Sequence, residues 1–195
     1  MLLIRAEQLV PQPWRNGFGR TRELLARPTS ANWRLRVSLA DIDADGPFSS
    51  FPGVQRWFAV AQGAGVTLRF LNGEHRALLG DEPLCFDGEA APQCSLIDGP
   101  TRDINLMVRE GIGAMRPVQA GKQWNEEFDE RGLFTLCAGM LYQEPAGVSG
   151  NKPPAPGLRV EANTLLWYLG TDPCYFVTDH PDNCGWWLGY SANGR

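Results

Sequence analysis

The chain has 195 residues, 43% of them hydrophobic and 21% charged, with a formal net charge of −4. It is long enough to bury a substantial core as one large or two small domains. The negative balance, with no basic cluster or stacking platform, argues against nucleic acid as a partner. No run approaches a membrane span, and the Met1-Leu2-Leu3-Ile4-Arg5 start turns polar too soon for a secretory signal, so a cytoplasmic protein without membrane association is expected.

The first element to stand out is Trp14-Arg15-Asn16-Gly17-Phe18-Gly19-Arg20-Thr21-Arg22-Glu23. Asn16-Gly17 is a strong hairpin-turn signal, since both residues tolerate positive φ. Gly19 allows close backbone approach, and in a strand starting here Thr21 and Glu23 alternate with Arg20 and Arg22. A surface hairpin of solvated charges and a ligand site are both consistent with this composition. Next, Trp33-Arg34-Leu35-Arg36-Val37-Ser38-Leu39-Ala40 reads as a half-buried strand, with Trp33, Leu35, Val37 and Leu39 on one face and Arg34, Arg36 and Ser38 on the other.

Further strands are predicted at 56–62, 65–71, 84–86, 94–98 and 102–109, with turn signals at Asp45-Gly46-Pro47, Phe51-Pro52-Gly53, Gln62-Gly63, Asn72-Gly73 and Asp98-Gly99-Pro100. The second half continues with strands at 133–142, 158–161, 164–169, 174–178 and 185–190. No long stretch holds a 3.6-residue period, so little helix is expected, and short strands at this spacing indicate a sandwich or barrel. The Pro- and Gly-rich residues 145–157 are predicted to form a loop. Residues 111–121 are the best candidate for a joint, dividing the chain into β modules 1–112 and 113–195 packed as one unit.

The two histidines, His75 and His180, each stand alone in a turn, and a β-barrel metal site needs several imidazoles with a carboxylate. No metal is expected. There is no Gly-x-Ser-x-Gly, Ser49 and Ser50 have no evident base, and Gly17 and Gly19 lack the third glycine and following helix of a phosphate loop. Cys85, Cys94, Cys137, Cys174 and Cys184 form no Cys-x-x-Cys and read as reduced. No cofactor is expected and no residue is assigned a catalytic role. One polar strand face remains. Alternation in 102–109 groups Asp103, Asn105, Met107 and Arg109, while Ile104, Leu106 and Val108 pack inward. That face either lies in water or lines a barrel mouth, meeting Arg15, Asn16, Thr21, Arg22 and Glu23. Buried polar groups must be hydrogen-bonded, and an arginine-rich cavity favours a small carboxylate.

Trp14-Arg15-Asn16-Gly17-x-Gly19-x-Thr21-Arg22-Glu23, Trp33-Arg34-Leu35, Asp45-Gly46-Pro47-Phe48-Ser49-x-Phe51-Pro52-Gly53 and Leu96-x-Asp98-Gly99-Pro100-x-Arg102-Asp103-x-Asn105-Leu106-Met107 stand in this order. Together they resemble the signatures of the HutD/Ves family. The resemblance implies an RmlC-like, cupin-like double-stranded β-helix: an all-β bicupin of two β-barrel modules without the usual cupin metal ligands. It also implies binding of a small pathway metabolite that moderates histidine utilisation, or, through Ves, a link to stress and cold response. Carried over residue by residue, the pocket would comprise Trp14, Asn16, Thr21, Arg22, Glu23, Asp103, Asn105 and Arg109. Phe48, Phe51 and Pro52 would shape a wall or loop, and Arg34 is a weaker candidate.

Three readings follow. The leading one is metal-independent binding of a small anionic metabolite such as formylglutamate or urocanate, with Arg22 clamping the carboxylate, Asn16 and Asn105 fixing polar groups and Trp14 covering the ligand. The second is a metal-independent enzyme of isomerase or epimerase type, with Glu23 or Asp103 as general base. The third is a salt-bridged corner without a ligand. An exposed edge strand would invite homodimerisation.

Overall fold

The computed structural model describes residues 1–144, 156–180 and 182–193. The loop expected at 145–157 lies outside the described residues except for its last two positions. The period-two patterning forms strands almost throughout; the helical content of the described residues is two 3₁₀ turns, Ala6–Gln8 and Gly88–Ala90. No helix among these residues is long and apolar enough to cross a membrane.

The first half builds two sheets. Six strands pair in the order Gln12–Pro13, Gly19–Pro28, Trp33–Ile42, Thr101–Val108, Gln55–Gln62 and Leu84–Asp87, and four in the order Gly46–Pro47, Gln93–Leu96, Val66–Phe70 and Gly73–Ala77. All pairings are antiparallel. Ile42, Phe58 and Val60 from the first sheet meet Phe48, Val66, Leu68 and Cys94 between them. The second half repeats the plan with a five-stranded sheet, Leu2–Arg5, Thr164–Trp167, Glu130–Thr135, Gly185–Ser191 and Ile112–Pro117, and a three-stranded sheet, Leu158–Val160, Gly139–Gln143 and Cys174–Val177. Trp124, Leu133, Leu166, Phe176 and Trp187 fill the space between these two.

The largest core joins the modules. Leu35, Val37, Leu39, Ile104, Leu106 and Val108 on the outer face of the six-stranded sheet pack against Met115, Phe134, Leu165, Trp167, Trp186 and Leu188 of the five-stranded sheet. The N-terminal strand strengthens this junction, because Leu2–Arg5 pairs with Thr164–Trp167 of the second half. Gly113 sits where the sheets approach, and a Cβ there would fall 2.8 Å from Val108 and 2.9 Å from Trp57.

Four local expectations change. The Trp33–Ile42 strand is not half-buried but covered on both faces, one by the second module and the other by the interior of the first. Its polar residues Arg36 and Ser38 therefore face a cavity rather than bulk water. Trp33 leaves the face of Leu35 and packs with Val54 and Met107, near the register irregularity between Arg27 and Pro28. The single strand expected at 133–142 is two strands in different sheets. The Thr135 hydroxyl donates to the Glu161 carbonyl at 2.7 Å where the first ends, and at Gly139 the backbone runs too close to Phe176 for any side chain. Finally, Gly46–Pro47 forms a short edge strand and Ile112–Pro117 another, both inside stretches read as turn or joint.

Candidate functional site

Within the first module a cavity of about 430 Å³ opens between its two sheets and the 12–16 segment. Strand register explains its lining. Thr21 opposes Ala40, Ser38 opposes Asn105, and Met107 opposes both Arg36 and Arg56, so these side chains share the inner face of the six-stranded sheet.

Arg56 is the unusual member. It is buried at 8% exposure, and its guanidinium lies 4.5 Å from the centre of the Phe48 ring, 5.4 Å from Phe86 and 5.9 Å from Phe58. Its Nε donates to Asn105 Oδ1 at 2.7 Å, and among the described residues it makes no other hydrogen bond. Asn105 Nδ2 in turn donates to Asp103 Oδ2, while Asp103 Oδ1 is buried without a hydrogen-bond partner. Burial pushes the Asp103 carboxyl up to about 7, against the pull of Arg56 and Asn105 and with a further push from Asp41. Burial likewise lowers Arg56 to about 10, partly offset by Asp103.

Arg36 is the second cationic wall. Its Nε donates to Glu23 Oε2 at 2.9 Å, and Glu23 Oε1 accepts from the Ser30 hydroxyl. Trp14 sits at the mouth, where its indole Nε1 donates to Thr21 Oγ1 at 2.7 Å and its ring meets Phe48 edge-on at 6.5 Å. Asn16 Oδ1 accepts from the Phe18 backbone amide at 3.1 Å, and Gly17 takes φ +75° in the turn, which positions Asn16 on the cavity. Gly19 is required for contact rather than for φ: a Cβ would lie 2.3 Å from the Asp41 carbonyl oxygen and 3.1 Å from the Trp14 ring. Backbone on one side and an indole on the other leave it nowhere to go. Gly19→Ala is expected to lower the unfolding free energy by about 1–3 kcal/mol in urea denaturation.

Of the eight residues assigned to a pocket from the sequence, Trp14, Asn16, Thr21 and Asn105 line this cavity, together with Arg15, Phe48 and Phe51. The other four do not. Arg22 points to the opposite face of the sheet, where Asp41 Oδ2 accepts from Arg22 Nη1 at 2.7 Å and Arg20 Nε at 3.2 Å, and Asp41 Oδ1 from Arg102 Nε at 2.6 Å. Burial would raise the Asp41 carboxyl, but Arg102 and Arg22 outweigh it and hold it below the usual range. This cluster ties three strands together, so Arg22 is not the carboxylate clamp of this cavity. Glu23 is on the inner face but engaged by Arg36 and Ser30. Asp103 lies behind Asn105, and Arg109, past the strand end, places its guanidinium 4.7 Å from the Trp33 ring centre.

Arg36, Ser38 and Arg56 were missed. The signal for Arg56 was its place in line with Phe58 and Val60, a charged residue on an apolar strand face. Among the described residues no group of three or more His, Cys, Asp or Glu side chains gathers to hold a metal ion. His75 is exposed on Gly73–Ala77, and His180 is exposed in the other module.

The second module also buries an arginine. Arg131, 1% exposed, donates from Nη1 to the carbonyls of Gly170 and Asp172 at 2.8 Å each and from Nη2 to that of Trp124 at 3.2 Å, and it stacks 4.4 Å from the Trp124 ring centre. Backbone carbonyls thus occupy both Nη atoms of Arg131, while its Nε is buried without a hydrogen-bond partner. Arg56 instead faces a cavity.

The chain is similar to known proteins in sequence and in fold. A 21.2 kDa protein in the hutC 3′ region of Pseudomonas putida is 37% identical over 126 residues, covering 63% of each chain. Protein Ves of Citrobacter koseri is 36% identical over 98 residues, 49% of this chain and 51% of Ves. The chain thus matches less than two thirds of the length of either relative. The structure of HutD from Pseudomonas fluorescens SBW25, described as a formate condition, superposes with a TM-score of 0.80 at 25% identity over 99% of both chains, which agrees with the cupin-like double module. The HutD family matches residues 6–140, and the chain belongs to that family.

Proposed function

We propose that the first module binds a small carboxylate-bearing metabolite in its cavity, without a metal, and that this cytoplasmic protein thereby moderates histidine utilisation or a stress response. The observation that carries the proposal is Arg56. A buried guanidinium is expensive unless its donors are satisfied, yet among the described residues only its Nε is hydrogen-bonded, and its counter-charge is held one amide away. A carboxylate on the remaining donors would complete the set bidentately. Arg131 supplies the contrast, since backbone carbonyls accept from both of its Nη atoms.

Arg36 and Arg56 oppose Met107 from either side, which separates their backbones by about two strand spacings, roughly 10 Å. A ligand with acidic groups at both ends can reach both. Formylglutamate, with two carboxylates, suits this better than urocanate, with one. Trp14 would cover the ligand while Asn16, Thr21 and Asn105 fix its polar groups. The volume lies within the range of small-metabolite pockets.

Isothermal titration of formylglutamate, urocanate, glutamate, histidine and formate tests this directly. The expected order places formylglutamate first, and Arg36→Ala should weaken it about tenfold or more through loss of one charge-assisted contact. Absence of heat and of thermal stabilisation with every carboxylate would overturn the proposal.

A further inference from the structure

A carboxylate, an amide and a guanidinium run in line from the interior of the first module to its cavity. All three residues are buried, with Asp103 at 1% exposure, Asn105 at 3% and Arg56 at 8%. Asn105 is fixed at both ends: its oxygen accepts from Arg56 Nε and its nitrogen donates to Asp103 Oδ2. Of these three residues only Arg56 and Asn105 border the cavity. Asp103 is therefore placed to sense a charge on Arg56 without touching what carries it.

We propose that the cavity takes up its carboxylate together with one proton, and that Asp103 receives that proton. The proposal rests on the reading of the cavity as a carboxylate site and names how that site is regulated. In the free protein Asp103 is the counter-charge of Arg56, acting through Asn105. A bound carboxylate brings a second anion to the same guanidinium in a low-dielectric interior, and one cation cannot balance both. Protonation of Asp103 restores neutrality. The proton has a defined place, because Oδ1 has no partner while Oδ2 keeps its bond from Asn105.

The surrounding charges favour this exchange. Asp41 on the neighbouring strand opposes ionisation of Asp103, and Arg56 on the other neighbour supports it. From the facing sheet comes Cys94, whose thiol burial pushes up to about 12, so it stays neutral and cannot take the role. Arg36 repels Arg56 across Met107, but Glu23 offsets Arg36. Burial already sets Asp103 near 7 in the free protein, so a modest further push protonates it at neutral pH.

The sign follows from linkage. Below about pH 6, Asp103 is protonated with or without ligand and affinity is level. From about pH 7 upward the free protein loses the proton and the complex keeps it, so affinity falls by up to about tenfold per pH unit.

The test is NMR on the full chain labelled with ¹³C and ¹⁵N, following the Asp103 carboxyl carbon and Arg56 Nε, with formate as the probe. The expected result is an Asp103 midpoint that rises by about one pH unit or more at saturating formate, and a formate Kd about threefold to fivefold weaker at pH 8 than at pH 7. Asp103→Asn should remove that pH dependence. If formate shifts Arg56 Nε while the Asp103 midpoint and the Kd stay constant with pH, proton coupling is overturned and the carboxylate site stands. If formate never shifts Arg56 Nε, even at about molar concentration, the site reading falls and the coupling with it. The wild-type titration decides between these outcomes even if the Asn variant does not fold.

Discussion

Arg56→Met is expected to weaken carboxylate binding at least about a hundredfold while the chain stays folded. The substitution keeps an unbranched apolar stem against Phe48, Phe58 and Phe86 and removes the buried cation of the cavity. A bidentate, charge-assisted pair in a desolvated site is worth about 3 kcal/mol or more, which sets the hundredfold figure. Removing one member of a buried charge pair usually destabilises by about 3–5 kcal/mol, because the other charge is stranded. Here the stranded partner can neutralise itself: Asp103 already sits near 7 and moves higher without Arg56. A carboxyl whose folded pKa is raised contributes stability that is complete below its unfolded value and lost as pH rises through the folded one. In the wild type that loss runs from about 4 to about 7 and then stops. In Arg56→Met it continues to higher pH. The two proteins should therefore differ little in Tm at about pH 6 and progressively more at about pH 8 and above, a comparison open to calorimetry at a series of pH values.

Arg131→Ala should behave in the opposite way, with a large loss of stability and no specific loss of binding. Three carbonyls, those of Gly170, Asp172 and Trp124, lose a charged donor at once, and the Trp124 ring loses its cation. Trp124 also stacks on Trp187 at 5.1 Å, so the disturbance enters the core of the second module. Hydrogen bonds to charged groups are worth about 1.5–3 kcal/mol each and are not additive, so a total of about 3–5 kcal/mol is expected. For a chain of this length that lowers Tm by about 10 °C or more. Carboxylate titration well below the variant's Tm should match the wild type, since Arg131 is not part of the cavity. Equal effects of the two substitutions on binding would show that the second arginine also serves the ligand.

These two arginines also mark how far the sequence could be read. Both lie in strands, and neither carries a motif. Arg56 follows Gln55 and precedes Trp57, and only its alternation with Phe58 and Val60 sets it apart. Arg131 falls before the strand predicted to begin at residue 133. By contrast, the segment 14–23 announced itself through composition, and four of its residues, Trp14, Arg15, Asn16 and Thr21, border the cavity. Its Arg22 misled, since the alternation that puts Thr21 inside must put Arg22 outside, where Asp41 holds it. The strand containing Asn105 was identified, but Arg109 was counted on its face although the strand ends at Val108.

Local chemistry alone therefore determined the class of the molecule. Period-two alternation, turn residues at short intervals and the lack of helical periodicity leave an all-β chain, and four ordered motifs place it in its family. What only the tertiary structure decided was which polar faces meet. An alternating strand looks the same whether its polar side faces water or a neighbour, so Arg36 and Ser38 looked solvated although the 12–16 segment and residues 47–51 enclose a cavity over them. The same holds for the swap of Leu2–Arg5 into the second half, since pairing across about 160 residues leaves no local trace. Burial, which turns Asp103, Asn105 and Arg56 from three scattered residues into one line of charge, is a property of the assembled barrel and not of any segment of it.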